Sequence, residues 1–360
     1  MAEIVTIQGP IAPNELGLTS MHEHILVNAS VFKDLRQDLV PEKYRHRWEE
    51  KISLENSALH SWIPTLTRDN MVNDDEELMT AEVADFKASG GNAILDQNSI
   101  TLRVSLPALR RISEKTGVHI VTTTGFYIEP SWPQSFLEFS IDQLTDYMLK
   151  EIEEGIGEEA IRPGHIKVGV RHLTACEERA LKAAAKAADR SGLSVTVHPG
   201  FGIGNDGRRI VDILIQAGMR PERIIIAHGD AFLIERNLRT LILDPSSWGL
   251  RLDYHKQLLD RGVNLSIDCF GHRWTYELIG EILENDIQRL AGLVSLIQAG
   301  YSSQIVLGTD TWIKICTRRL GGFGYCRLTE YVLPTLKGLG VSDYDIRQLT
   351  IENPARLLAR

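Results

Sequence analysis

Short apolar runs recur along the chain, separated by longer stretches in which apolar residues repeat at helical spacing. The runs cover residues 17–24, 93–96, 120–124, 166–170, 194–198, 223–228, 264–268 and 304–308. Their near-continuous β-branched and aliphatic content marks strands covered on both faces, and amphipathic stretches such as 177–189 supply the crossovers between them. Eight such strands with intervening helices predict an α/β fold, a closed (β/α)8 TIM barrel, with residues 1–360 forming a single domain. Two stretches exceed a minimal barrel. Residues 33–75, with the charged run 42–51, extend the first βα loop, and a loop of this length is expected as a lid, a subunit contact or a solvated surface helix. The glycine-rich stretch 320–325 follows the eighth strand without the spacing of a phosphate-binding loop, and reads as a flexible active-site loop.

Polar residues interrupt this pattern mainly at strand ends. His22 and His24 are spaced i, i+2, which on a strand points both imidazoles to one face and on a helix would splay them apart. Lys167, His198, His228 and Asp310 stand at or near the ends of four later runs. Barrel enzymes carry their active sites at the C-terminal ends of the strands, and Lys167, His198 and His228 are each about one strand-helix unit apart, so these side chains are expected at similar heights around one mouth. Together they read as a two-metal hydrolytic site. Taken singly, each histidine could instead be a hydrogen-bonded core imidazole, and the lysine a strand-end cation that snorkels to solvent. His165 begins its run and is expected deeper in the barrel, while His46, His60, His119 and His255 are expected to be structural or exposed.

Composition narrows the partners. With 43% hydrophobic residues over 360 positions the chain can bury a large core. A formal net charge of −9, with the arginine pairs 110–111, 208–209 and 318–319 scattered along the chain, argues against a nucleic-acid partner. No apolar run is long enough to span a bilayer and the start lacks the layout of a signal peptide, so a cytoplasmic protein without a membrane partner is expected. Cys176, Cys269, Cys316 and Cys326 show no Cys-x-x-Cys spacing and are expected as reduced thiols.

Taken in order, the opening Gly9-Pro10-Ile11 through His22-Glu23-His24, the block Ile166-Lys167-Val168, then Val197-His198-Pro199-Gly200, Ala227-His228-Gly229-Asp230, Asp310 and the tail Glu352-Asn353-Pro354-Ala355-Arg356 resemble one family. It is the phosphotriesterase-like branch of the amidohydrolase superfamily, which also holds lactonases and phosphotriesterase-related proteins. The resemblance covers nearly the whole chain. It implies that His22, His24 and Asp310 hold one divalent cation, that His198 and His228 hold a second, and that Lys167 bridges the two. Zinc is the implied metal, with manganese or cobalt also suited to mixed imidazole and carboxylate donors. An ammonium beside two cations is disfavoured, so Lys167 is expected as N6-carboxylated lysine, the carbamate formed from the neutral amine and carbon dioxide. The resemblance also implies a homodimer.

Two such cations make a bridging hydroxide available near neutral pH and polarise the oxygen of an electrophile. Asp310 is expected to anchor that nucleophile and carry its proton to the leaving group. Asp230 is expected to orient an imidazole or relay the proton outward, or else to cap a helix starting at Ala231. Tyr127 matches a substrate-facing aromatic position of the family, and Phe270, His272, Trp274 and Trp312 are expected to complete the cavity for a small-molecule substrate. The chain also departs from the family. Asp268 and Cys269 stand after strand seven, where many phosphotriesterases carry a relay histidine and many lactonases an arginine, which leaves His272 or Arg273 as substitutes. Asp96-Gln97-Asn98-Ser99 after strand two is unusual for the lactonases and reads as the mark of a subgroup with its own substrate. The expected reaction is hydrolysis of a carbonyl-centred bond in a lactone, carboxylic ester or amide. The alternatives are a phosphotriester or phosphoester hydrolase with the same metal centre, a Schiff-base aldolase using Lys167, and a non-catalytic metal-stabilised binding protein.

Overall fold

The computed structural model describes residues 2–200 and 207–360. All eight predicted strands are present: β1 (Thr19–Glu23), β2 (Ala93–Asp96), β3 (His119–Val121, resuming at Thr123–Thr124), β4 (His165–Val170), β5 (Val195–Pro199), β6 (Ile224–Ile226), β7 (Asn264–Ile267) and β8 (Ile305–Leu307). They pair in parallel and in chain order, β3 joining β2 through its first segment and β4 through its second. The ring closes between β8 and β1, where the Asp310 amide donates to the His22 carbonyl oxygen at 3.0 Å. Gly308 permits this approach, since a Cβ there would stand 2.9 Å from the same oxygen. The result is a (β/α)8 barrel.

Alternation along β4 shows how the sequence produces the barrel's two faces. Ile166, Val168 and Val170 point outward into the main core, where they meet Ala180, Ala184 and Ala187 of the helix Ala175–Ser191. His165, Lys167 and Gly169 occupy the opposite, inward face. Small alanines let that helix lie close on the sheet, and Thr174 fixes its start by accepting from the Glu177 amide. Asp75, Ser105, Ser140 and Asn285 cap other helices in the same way. A separate apolar cluster of Ile4, Leu16, Met21, Leu95, Ile225, Val306 and Leu357 plugs the N-terminal end of the barrel. With that end filled, the polar inward residues are left to the other mouth.

The extension after β1 is folded as part of the barrel mouth. Its ends are held by an antiparallel pairing of Val27–Asn28 with Val72–Asn73, and between them lie short helices at Phe32–Leu35, Ser57–Trp62 and Arg68–Met71. The glycine-rich stretch 320–325 corrects the expectation of an active-site loop. None of its residues lines the cavity at the mouth; Gly322 and Gly324 donate to the carbonyls of Thr317 and Cys316, and the buried Tyr325 hydroxyl donates to the His24 carbonyl oxygen at 3.2 Å. No helix among the described residues is long and apolar enough to cross a membrane.

Candidate active site

The strand-end residues meet at the C-terminal mouth, though not all at one height. Register pairs Thr196 with Lys167 and His198 with Gly169, so Lys167 starts one inward layer below His198. Its long stem makes up the difference, and Nζ reaches 3.1 Å from His22 Nε2. His165, on the same face a further layer down, is bonded to Thr196 Oγ1 at 2.7 Å, deep in the barrel. His228 and Asp310 adopt left-handed backbone conformations, φ 56° and 46°. For residues with a Cβ this costs roughly 1–2 kcal/mol each, and such strain persists where the surrounding structure imposes it at a functional site.

Hydrogen bonds aim the imidazoles inward. Asp268 takes His22 Nδ1–H on Oδ2 at 2.6 Å and His228 Nδ1–H on Oδ1 at 2.8 Å, and it also accepts from the His228 amide. Asn98 Oδ1 takes His24 Nδ1–H at 2.6 Å. Each bond leaves an Nε2 lone pair directed at the centre, the tautomer a divalent cation requires. Asp310 Oδ1 lies 3.2 Å from His24 Nε2 and 3.6 Å from His22 Nε2, and His198 Nδ1 lies 2.7 Å from His228 Nε2. His22, His24 and Asp310 thus form one donor group whose ligating atoms all lie within 4.8 Å, and His198 and His228 bring two more nitrogens beside it.

Electrostatics suit this donor set to cations. Burial pulls His22, His24 and His198 below their ordinary values, His24 to about 4, so these rings are neutral donors at neutral pH. Burial opposes the charge on His228 as well, but Asp268 and Asp310 outweigh it and hold that ring's affinity for a proton above normal. Asp310 is pushed up to about 8, by burial first and then by Asp268. Burial lowers Lys167 to about 8, which makes the neutral amine accessible near physiological pH. Imidazoles, carboxyl groups and an amine are donors for zinc, manganese or cobalt, and the Cys269 thiol beside His228 and Asp310 is held protonated by burial, so the residues fit two such ions.

Around this cluster opens a cavity of about 1120 Å³ including its mouth. Tyr127, His272, Trp274 and Trp312 line it, as do Lys167, Asp230 and Asp310. Tyr127 approaches the donors most closely, its hydroxyl 3.4 Å from His198 Nε2. Trp274 stacks against His272, ring centres 3.9 Å apart, and meets Trp312 edge-on. Gly169 leaves the notch that Tyr127 fills, because a Cβ there would stand 2.6 Å from Tyr127 Cδ2 and 2.7 Å from the Ile128 amide. Gly169→Ala is therefore expected to displace the Tyr127 segment, costing about 1–3 kcal/mol of stability and about tenfold in specificity constant. Denaturant unfolding and steady-state kinetics would read both, and wild-type values for both would show that the glycine does not set this wall.

Several expectations need correction. Phe270 does not line the cavity; it is 1% exposed and packs in the main core. Cys269 lines the cavity in its place, because alternation stops where β7 ends and the chain turns at Gly271, φ 90°. Among the described residues Asp230 accepts no bond from an imidazole, which corrects its orienting role and not its role as an outward relay. Its partners are Arg289 Nε at 2.6 Å and the Asp268 amide, and no helix begins at Ala231. Asp268 does the orienting instead. Of the substitutes offered after strand seven, His272 reaches the site, its Nε2–H donating to the Asp310 carbonyl oxygen at 3.0 Å, whereas Arg273 is bonded to the Gly321 carbonyl. The unusual Asp96-Gln97-Asn98 run faces the metal-ligand candidates: besides Asn98 on His24, Asp96 accepts from the Ile25 amide and Gln97 donates to the Met21 carbonyl. Asp268 and Asn98 were the functional residues least visible in the sequence. Their one signal was a polar side chain in or just past an apolar strand.

Comparison with known proteins agrees over the same span. The model of the phosphotriesterase family matches residues 2–358. An N-acetyltaurine hydrolase of Dictyostelium discoideum is 30% identical, covering 99% of this chain and 98% of that protein. A phosphotriesterase-related protein of Drosophila grimshawi is 27% identical over 100% and 99%. Among solved structures, a resiniferatoxin-binding protein from Rhodobacter sphaeroides superposes with a TM-score of 0.86 at 29% identity, covering 99% of this chain and 94% of that one. A lactonase from Listeria monocytogenes has the same fold, with a TM-score of 0.75 at 23% identity and coverage of 99% and 98%.

Proposed function

The chain belongs to the phosphotriesterase family and is a hydrolase, and from that premise we propose that it uses a binuclear metal centre to cleave a carbonyl-centred bond, an amide, lactone or carboxylic ester, in a small molecule. The observation that carries this reading is the convergence of ligating atoms from His22, His24, His198, His228, Lys167 and Asp310 beneath a cavity that Tyr127 narrows. Full-length similarity to proteins named for hydrolysing N-acetyltaurine supports an amide among the substrates. A hydrolase leaves no place for the Schiff-base aldolase or the non-catalytic binding protein.

His22, His24 and Asp310 would hold one cation and His198 and His228 the other, with Lys167, carboxylated, between them. Bound there, the metals would lower the pKa of a water and polarise the carbonyl oxygen. The residues supply the rest. Asp310 is placed to take the proton of the attacking water and pass it to the leaving group as the tetrahedral centre collapses. Asp268 holds two imidazoles in the ligating tautomer throughout. Tyr127 and the Trp274 and Trp312 rings shape the space for a planar acyl group and crowd the three substituents of a tetrahedral phosphorus centre.

On one zinc-loaded preparation, the specificity constant for the best of a panel of amides, lactones and esters is expected to exceed that for paraoxon-like triesters by at least ~100-fold, roughly 2.7 kcal/mol of differential transition-state stabilisation. Chelation should abolish the activity and metal restore it. Faster turnover of the triester than of every carbonyl substrate would establish a phosphotriester hydrolase instead.

A further inference from the structure

The wall contributed by the extended first βα loop carries a charge that the chemistry above does not use. Arg36 follows the helix Phe32–Leu35, whose Phe32 packs on Tyr127 and Trp312 with ring centres 6.2 and 5.4 Å apart. Its guanidinium lines the cavity 5.3 Å from the centre of the Tyr276 ring. Charges elsewhere around the cavity answer one another: Arg289 is bonded to Asp230 and Asp286, and Glu284 faces Arg236 at 3.8 Å. Arg171 donates to the Leu35 carbonyl oxygen at 3.4 Å and so braces the residue before Arg36. Arg36 itself has no carboxylate within ion-pair distance and no acceptor on its side chain among the described residues. Trp274, which lines the same cavity and packs in one cluster with Phe32, Leu35 and Tyr276, has a buried indole N–H without an acceptor among the described residues.

A half-buried guanidinium that has given up part of its hydration without a counter-charge favours an anion that can reach it. Its forked N–H groups match two oxygens of a carboxylate or sulfonate, and each such charge-assisted bond is stronger than a neutral one. Tyr127 touches the ligand candidate His198 and Phe32 packs on Tyr127, whereas Arg36 lies against Tyr276, so an anion held there would sit apart from the reacting carbonyl. We propose that Arg36, with the Trp274 N–H, forms an anion subsite that selects substrates carrying a carboxylate or sulfonate at the end remote from the scissile bond. This rests on the carbonyl-hydrolase reading and adds the substrate's charge to it.

The test separates the two by using ligands that are not turned over. 4-Oxopentane-1-sulfonate has a ketone in place of the scissile group and an anionic end; 5-(methylsulfonyl)pentan-2-one is its neutral counterpart. By calorimetry on the metal-loaded protein, the anionic ketone is expected to bind at least about tenfold more tightly than the neutral one. Arg36→Gln should reduce that ratio to below about threefold, and Arg36→Lys, which keeps the charge, should retain a larger part of it. Lys33→Gln makes the same change of charge at a residue outside the cavity and should leave the ratio intact. Equal affinity of the two ketones for the wild type, an unchanged ratio in Arg36→Gln, or an equal loss in Lys33→Gln would each overturn the subsite. Failure to hydrolyse any carbonyl substrate would overturn the proposed reaction, with the binding ratios still deciding the role of Arg36.

Discussion

Lys167→Ala is expected to lose at least ~10³-fold in specificity constant, about 4 kcal/mol of transition-state stabilisation, together with most of the bound metal. The side chain reaches the centre of the site from one layer below His198 and touches His22 Nε2 at 3.1 Å, so no neighbouring residue can take its place. Burial lowers its proton affinity to about 8, which supplies neutral amine for reaction with carbon dioxide. As the carbamate it would change from a cation that repels two metals to an anion that joins them. Truncation to alanine opens space beneath the mouth, and an added short carboxylate such as acetate or propionate should enter it and restore part of the metal content and activity. Metal analysis and kinetics with and without the added acid read this directly. A variant with two metals per chain and wild-type turnover would remove Lys167 from the centre.

Asp268→Asn should be nearly as damaging, although Asp268 lines no part of the cavity. Its two oxygens each accept an imidazole N–H, one from His22 and one from His228, and so orient a ligand in each of the two donor groups. Asparagine offers one acceptor oxygen and an NH2. Whichever ring meets the NH2 must turn its Nδ1 lone pair toward it, which places the proton on Nε2 and removes the lone pair that would bind metal. Loss of an orienting partner typically costs 10–100-fold in metal affinity, and here one substitution disturbs ligands of both sites, so about 10²-fold or more is expected, with a matching fall in turnover at limiting metal. Excess zinc should recover part of the rate. Metal titration against a colorimetric chelator would show it, and unaltered affinity would mean that the imidazoles hold their tautomers without this carboxylate.

Much of this site could be read along the chain because its geometry is local. An apolar run with period-two alternation tells which side chains share a face, and His22, Lys167 and His198 follow that rule on their strands. The rule fails where the backbone leaves the strand. His228, at φ 56°, redirects the chain so that Asp230 meets Arg289 in place of an imidazole. Past the end of β7, Phe270 turns into the core and Cys269 toward the cavity. The same boundary made Asp268 hard to recognise, since a carboxylate ending a strand has no visible partner until the strands on either side are in place.

The eight-stranded barrel, the mouth at which its chemistry gathers and the residues able to hold metal are legible along the chain, because they follow from hydrophobic period and from position at strand ends. Other features emerge only once the chain is folded: Asp268 and Asn98 aim the imidazoles, Lys167 reaches up from a lower layer, and the first loop brings Arg36 to the cavity wall. Those contacts depend on the stagger between neighbouring strands and on the path of long loops. Both are set by packing among segments distant in the chain, which no local pattern of polar and apolar residues records.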